Sequence, residues 1–177
     1  MPIRQNFCCC FCLRPDHDRI AETTYASITH ALPLLSDEHR DLLFEPLYRT
    51  GIDYSFGNVQ GTKGERKSAA RPLWQSPRSV LNYDEDLMTA MTPAAEEALN
   101  ALQAAIALVY RGVKLDTGDL LCIDNRRTVH GRSSFTPRYD GFDRWLQRSF
   151  VVRDLGLSAV DRQPGERIIR TQFEAIE

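Results

Sequence analysis

The spacing of apolar and polar positions divides the chain into short extended stretches separated by a few helices. Asn6 to Leu13 is almost wholly apolar or cysteine and reads as a strand. Asp16 to about Leu32 reads as a helix, opened by polar residues and ended near Pro33, and Ser36 caps a short helix running through Asp37 and Glu38 to Phe44. Tyr48 to Phe56 is read as strand. Gly57 to Pro72 is glycine-rich, charged and aperiodic, which makes it a surface loop or lid, and Leu73 to Tyr83 returns as strand. The clearest helix opens at Thr92-Pro93. Ala95, Ala98, Leu99, Leu102, Ile106 and Val109 recur there at helical spacing, and Gly112 is expected to stop it.

Two further strands bracket a loop near the end of the chain. Gly118-Asp119 is a turn signal, and Leu120 to Ile123 is a short apolar run that suits a buried strand, with Cys122 in its core. Asp124-Asn125 breaks the run, and the next extended stretch carries His130. Pro137 and the Asp140-Gly141 pair make a second break before WLQRSFVV resumes as strand. Alternation along that strand puts Arg144, Leu146 and Arg148 on one face and Trp145, Gln147 and Ser149 on the other. Two guanidiniums sharing a face require an anion, either a ligand or surface partners among Asp140, Asp143 and Asp154. Tyr83 and Trp145 read as core.

Composition narrows the class without choosing a function. At 177 residues the chain is expected to be a single domain over 1–177 and can bury a real core. A net charge of -2, with acids interleaved among Arg126, Arg127, Arg132, Arg138, Arg144, Arg148 and Arg153, argues against nucleic acid. No apolar stretch reaches the ~20 residues of a membrane span, and Met1 is not followed by a secretory signal, so a cytoplasmic location is expected. Four of the five cysteines lie in CCCFC, from Cys8 to Cys12. Cys8, Cys10 and Cys12 share one face of a strand. Metal binding is conceivable there, but adjacent cysteines lack the usual Cys-x-x-Cys spacing, and a buried apolar strand is the better reading.

The run from Gly118 to Asp154, and DNRRTVHGRSSFTPRYDGFDRWLQRSFVVRD within it, closely resembles the clavaminate synthase-like Fe(II)/2-oxoglutarate oxygenases. These include hydroxylases of free arginine, asparagine and lysine within the taurine dioxygenase superfamily. The resemblance implies a double-stranded β-helix (jelly-roll, cupin-like) core with flanking helices, a mainly β or α+β fold. It implies that His130 is the C-terminal histidine ligand of iron and that Arg144 clamps the distal carboxylate of 2-oxoglutarate, with Arg148 nearby. Cys12 to Leu35 resembles the passage following the first metal ligands, and Thr23 falls where the family has a threonine hydroxyl on 2-oxoglutarate. Ser79 to Thr89 resembles the stretch whose aspartate meets the substrate, Asp84 matching best and Asp86 second. The implied cofactors are Fe(II) and 2-oxoglutarate, and the implied partners are molecular oxygen and a small amino acid, arginine-like by the aspartates.

One part of the family pattern is missing. Two histidines and one carboxylate make up the facial triad, and the first two ligands come as His-x-Glu or His-x-Asp. The other histidines, His17, His30 and His39, are not read as carrying such a pair. The chain is therefore expected to be the C-terminal portion of a longer oxygenase barrel, incomplete at its N-terminus, with one ligand of three and no activity as a fragment. The alternative is a non-catalytic, carboxylate-binding or decayed barrel protein.

Overall fold

A computed structural model describes residues 6–50, 71–74, 80–156, 159 and 162–166. In chain order the strands are β1 (Phe7–Arg14), β2 (Thr23–Ser27), β3 (Tyr48–Thr50), β4 (Leu73–Trp74), β5 (Val80–Leu81), β6 (Met88–Ala90), β7 (Arg111–Val113), β8 (Leu120–Asp124), β9 (Thr128–Arg132) and β10 (Trp145–Val151). The α-helices are α1 (Ile28–Ala31), α2 (Asp37–Leu43) and α3 (Pro93–Val109). The strands form two three-stranded sheets, β10-β1-β8 and β7-β2-β9, and two ribbons, β3-β6 and β4-β5. Every pairing is antiparallel. Among the described residues the sheets do not close into a barrel.

The main core lies between α3 and the β2 sheet. Leu102, Ala98 and Ile106 on α3 pack in one cluster with Ala26 and Ile28, and with Leu43 of α2. Both helices begin as their sequences require. Ser36 Oγ accepts from His39 N at 3.2 Å, and Thr92 Oγ1 accepts from Ala95 N at 3.2 Å, each satisfying an N–H that the first helical turn leaves unpaired.

Several expectations change in three dimensions. The helix predicted over Asp16 to Leu32 is instead a turn, strand β2 and the short α1. The buried Asp16 carboxylate accepts from Ile20 N at 2.9 Å and Ala21 N at 3.0 Å, which ties off the turn. Thr23, Thr24 and Tyr25 then supply β-branched and aromatic residues that suit a strand. Thr23 is thus a strand residue. Helix α3 ends at Val109, and Gly112 lies inside β7 opposite Thr24, where an added Cβ would stand 2.0 Å from the Glu22 carboxylate. Of Leu73 to Tyr83, residues 75–79 lie outside the described residues, the described ones include the two-residue strands β4 and β5, and Tyr83 packs half-buried against the core. From Tyr48 to Phe56 the strand is seen as far as Thr50; residues 51–70, with most of the expected lid, lie outside the described residues.

Sheet β10-β1-β8 has two unlike faces. Cys8, Cys10 and Cys12 point inward at 0%, 9% and 0% exposure, as the apolar-strand reading expects. Burial beside Cys10 pushes the Cys8 thiol up to about 12, so it stays protonated. Cys122 and Trp145 read as core in the sequence, yet both are exposed, Trp145 at 57%. They stand on the outward face, which no described element covers, and of β8 only Ile123 is buried.

Candidate active site

A cavity of about 740 Å³ is lined by residues from both sheets and from the turn after β5. His130 and Arg132 on β9, Arg148 on β10, and Asp84 and Asp86 on the turn line it. His130 pairs in register with Tyr25 of β2, so the alternation of β9 puts Thr128, His130 and Arg132 on one face. Val129, on the other face, packs against the core.

The β8–β9 turn controls the imidazole. Asp124 accepts from Arg126 through both oxygens, from Nε at 2.9 Å and Nη2 at 2.8 Å, and also takes the Arg126 N–H. The next residue, Asn125, brings its side-chain oxygen to 2.9 Å from His130 Nε2. Burial, and then the Arg148 charge, hold the His130 pKa below its ordinary value, which favours the neutral imidazole that a metal needs. Asn125 escapes a reading by residue type, although its place in the break before the histidine strand is a signal in hindsight.

Arg144 stands one residue before β10, half-buried. Its Nη2 donates to Thr23 Oγ1 at 2.9 Å. Burial lowers its pKa, with Arg132 acting the same way and Cys12 and Asp16 opposing; the guanidinium stays charged regardless. Thr23 and Arg144 meet each other but are not part of the cavity lining, which joins His130, Arg148, Asp84 and Asp86.

Among the described residues neither Arg144 nor Arg148 forms an ion pair. The neighbouring acids Asp140, Asp143 and Asp154 are engaged elsewhere. Asp140 Oδ2 lies 3.0 Å from His17 Nε2, and Asp143 accepts from the Arg138 and Tyr139 N–H groups at 2.8 Å each. Asp154 accepts from Gly156 N at 2.8 Å. Arg148 lies over the Phe150 ring at 5.1 Å. Asp84 and Asp86 are exposed, with Asp86 N donating to Asp84 Oδ1 at 3.1 Å.

The chain is not without a His-x-Asp pair. The two-residue spacing does occur once, as His39-Arg40-Asp41, but these residues lie on α2. On a helix of 3.6 residues per turn, side chains two apart project about 200° from one another and cannot grip one ion, whereas on a strand they share a face. Among the described residues the side chains close enough to share an ion are His17, Asp140 and Asp143, in which the aspartates already hold the loop before Arg144.

The Taurine catabolism dioxygenase TauD, TfdA family matches residues 9–150. The chain belongs to this family. Within the TauD/TfdA family it is similar to clavaminate synthase 2 of Streptomyces clavuligerus, 38% identical over 153 residues that make up 86% of this chain and 47% of that enzyme. It is similar also to L-asparagine oxygenase of Streptomyces coelicolor, 42% identical over 164 residues, 90% of this chain and 47% of that one. The structure of asparagine oxygenase with Fe(II), 2S,3S-3-hydroxyasparagine and succinate superposes with a TM-score of 0.83 at 40% identity, over 92% of this chain and 50% of the other. The non-heme iron oxygenase OrfP with Fe and alpha-ketoglutaric acid gives 0.77 at 32% identity, over 96% of this chain and 52% of the other. The chain is a clavaminate synthase-like member with the jelly-roll class of fold, and it spans about half the length of the curated relatives it matches.

Proposed function

We propose that this chain supplies the 2-oxoglutarate clamp, one iron ligand and the substrate-facing wall of an Fe(II)- and 2-oxoglutarate-dependent hydroxylase of a free L-amino acid or derivative. The observation that carries the reading is Arg144, half-buried, steadied by the Thr23 hydroxyl and in no ion pair among the described residues. A guanidinium in that position fits the distal carboxylate of a keto diacid, which it can grip through two parallel N–H donors. Thr23 fixes the fork, and Arg148 and Arg132 bring positive charge to the cavity lining. Relatives named for hydroxylating lysine, and ornithine or arginine, favour an amino acid as substrate. Asp84 and Asp86 on the cavity wall suit a cationic side chain, hence the preference for an arginine-like one.

The residues fit iron only in part. His130 offers one imidazole to the cavity, and among the described residues no strand brings a histidine and a carboxylate beside it. Bound by a complete set of ligands, iron would supply the oxidising power. The chain's own contribution is to hold the diacid and keep the imidazole neutral. By itself it is expected to give no turnover.

The test has two stages. Calorimetry of the 177-residue chain should show 2-oxoglutarate binding that R144M removes; binding equal in both would reject the clamp. A polypeptide that adds a strand-borne His-x-Glu or His-x-Asp should then release succinate with iron, 2-oxoglutarate and arginine, asparagine or lysine. If the clamp binds and no amino acid supports turnover, the non-catalytic carboxylate-binding reading replaces the hydroxylase.

A further inference from the structure

Cys9 and Cys122 face each other on the outward side of sheet β10-β1-β8, with their sulfurs 3.0 Å apart. They are direct partners in the β1–β8 register. Asn125 N donates to Asn6 O at 3.0 Å at one end of this ladder, and Cys12 N donates to Asp119 O at 2.9 Å at the other. Hydrogen-bonded rungs alternate with open ones in an antiparallel pair, so Cys9 and Cys122 occupy an open rung. There the Cα atoms approach to about 4.5 Å, inside the range of about 4.4–6.8 Å that a disulfide spans. Cys8, Cys10 and Cys12 point to the opposite face and are buried, so none of them competes for Cys122.

We infer that Cys9 and Cys122 form a redox-modification site, which a small peroxide converts to a cross-strand disulfide. Cys122 is the more exposed residue of the pair and meets the oxidant first. Its thiolate attacks one peroxide oxygen and the O–O bond breaks, leaving a sulfenic acid and, after protonation, water. The Cys9 sulfur then gives up its proton and displaces the sulfenic oxygen, which leaves as a second water as the S–S bond forms. Overall two thiols lose two electrons and two protons, and one peroxide is reduced to two waters. The hydrogen bond to Cys122 pushes the Cys9 thiol up to about 11, which suits the sulfur that acts second. The bond joins residues 113 apart in sequence and fastens β1 to β8, the strand leading into Asn125 and its contact with His130.

The test uses the reduced 177-residue chain treated with hydrogen peroxide and mapped by mass spectrometry without reductant. The expected product is a monomer lighter by two hydrogens, with its link assigned to Cys9 and Cys122 by fragmentation. Its melting midpoint should rise by roughly 5–15 °C and return with dithiothreitol. C9S and C122S should each abolish the product, and C10S should leave it. A link from Cys122 to Cys8, Cys10 or Cys12, disulfides between chains only, over-oxidised Cys122 beside a free Cys9 thiol, or no reaction would each overturn the assignment.

Discussion

Arg144 Nη2 donates to Thr23 Oγ1 at 2.9 Å, joining the residue before β10 to the first residue of β2 across the gap between the two sheets. The buried hydroxyl and the half-buried cation fix each other's rotamers, and so the fork of donors is held in one orientation.

Thr23→Val keeps the shape and removes the acceptor. It should destabilise the chain by about 1.5 kcal/mol, the low end for a hydrogen bond to a charge because water still reaches Arg144. Thr23→Ser should retain most of that stability. The midpoints of urea unfolding compare the three, and equal midpoints for wild type and Thr23→Val would remove Thr23 as the steadying group.

Arg144→Lys keeps the charge and loses the planar fork. The dissociation constant for 2-oxoglutarate should rise about tenfold, equivalent to about 1.4 kcal/mol, in calorimetry. An unchanged affinity would mean that charge alone, without two-pronged geometry, holds the anion.

His130 should titrate below its ordinary value in an NMR pH series, since burial and then Arg148 disfavour its charged form. The folded pKa lies below the unfolded one, so the unfolded chain binds more protons between the two. Stability from this group is therefore complete above about pH 6.5 and is lost as pH falls through the folded value. Arg148→Met should move the His130 titration upward. A downward or absent shift in that variant would show that Arg148 does not act on the ring.

Leu102 is fully buried on α3, while Leu108 on the same helix is 73% exposed. Leu102→Ala should cost about 2–4 kcal/mol and Leu108→Ala less than about 0.5 kcal/mol. Urea midpoints would distinguish them. Equal costs would contradict the observed facing of the helix.

Local chemistry made much of this protein legible from its sequence. Thr92-Pro93 and the apolar spacing behind it specify α3 because capping and amphipathicity are local properties, and Ser36 does the same for α2. The Gly118–Asp154 segment carries the family resemblance in the order and spacing of His130, Arg144 and Arg148, together with the alternation that aligns the two arginines. Tertiary structure decided what depends on partners distant in sequence. The Asp16 carboxylate turns a helix-like stretch into turn and strand, and whether Cys122 and Trp145 are core depends on what lies over their face of the sheet. Asn125 meets His130 only because the β8–β9 turn folds back, and Thr23 meets Arg144 only because the fold brings the start of β2 beside the residue before β10. Hydrophobic pattern and caps act within a few residues and can be read along the chain. Burial, charge partners and the walls of a cavity are properties of contacts between segments, and those exist only once the strands have paired.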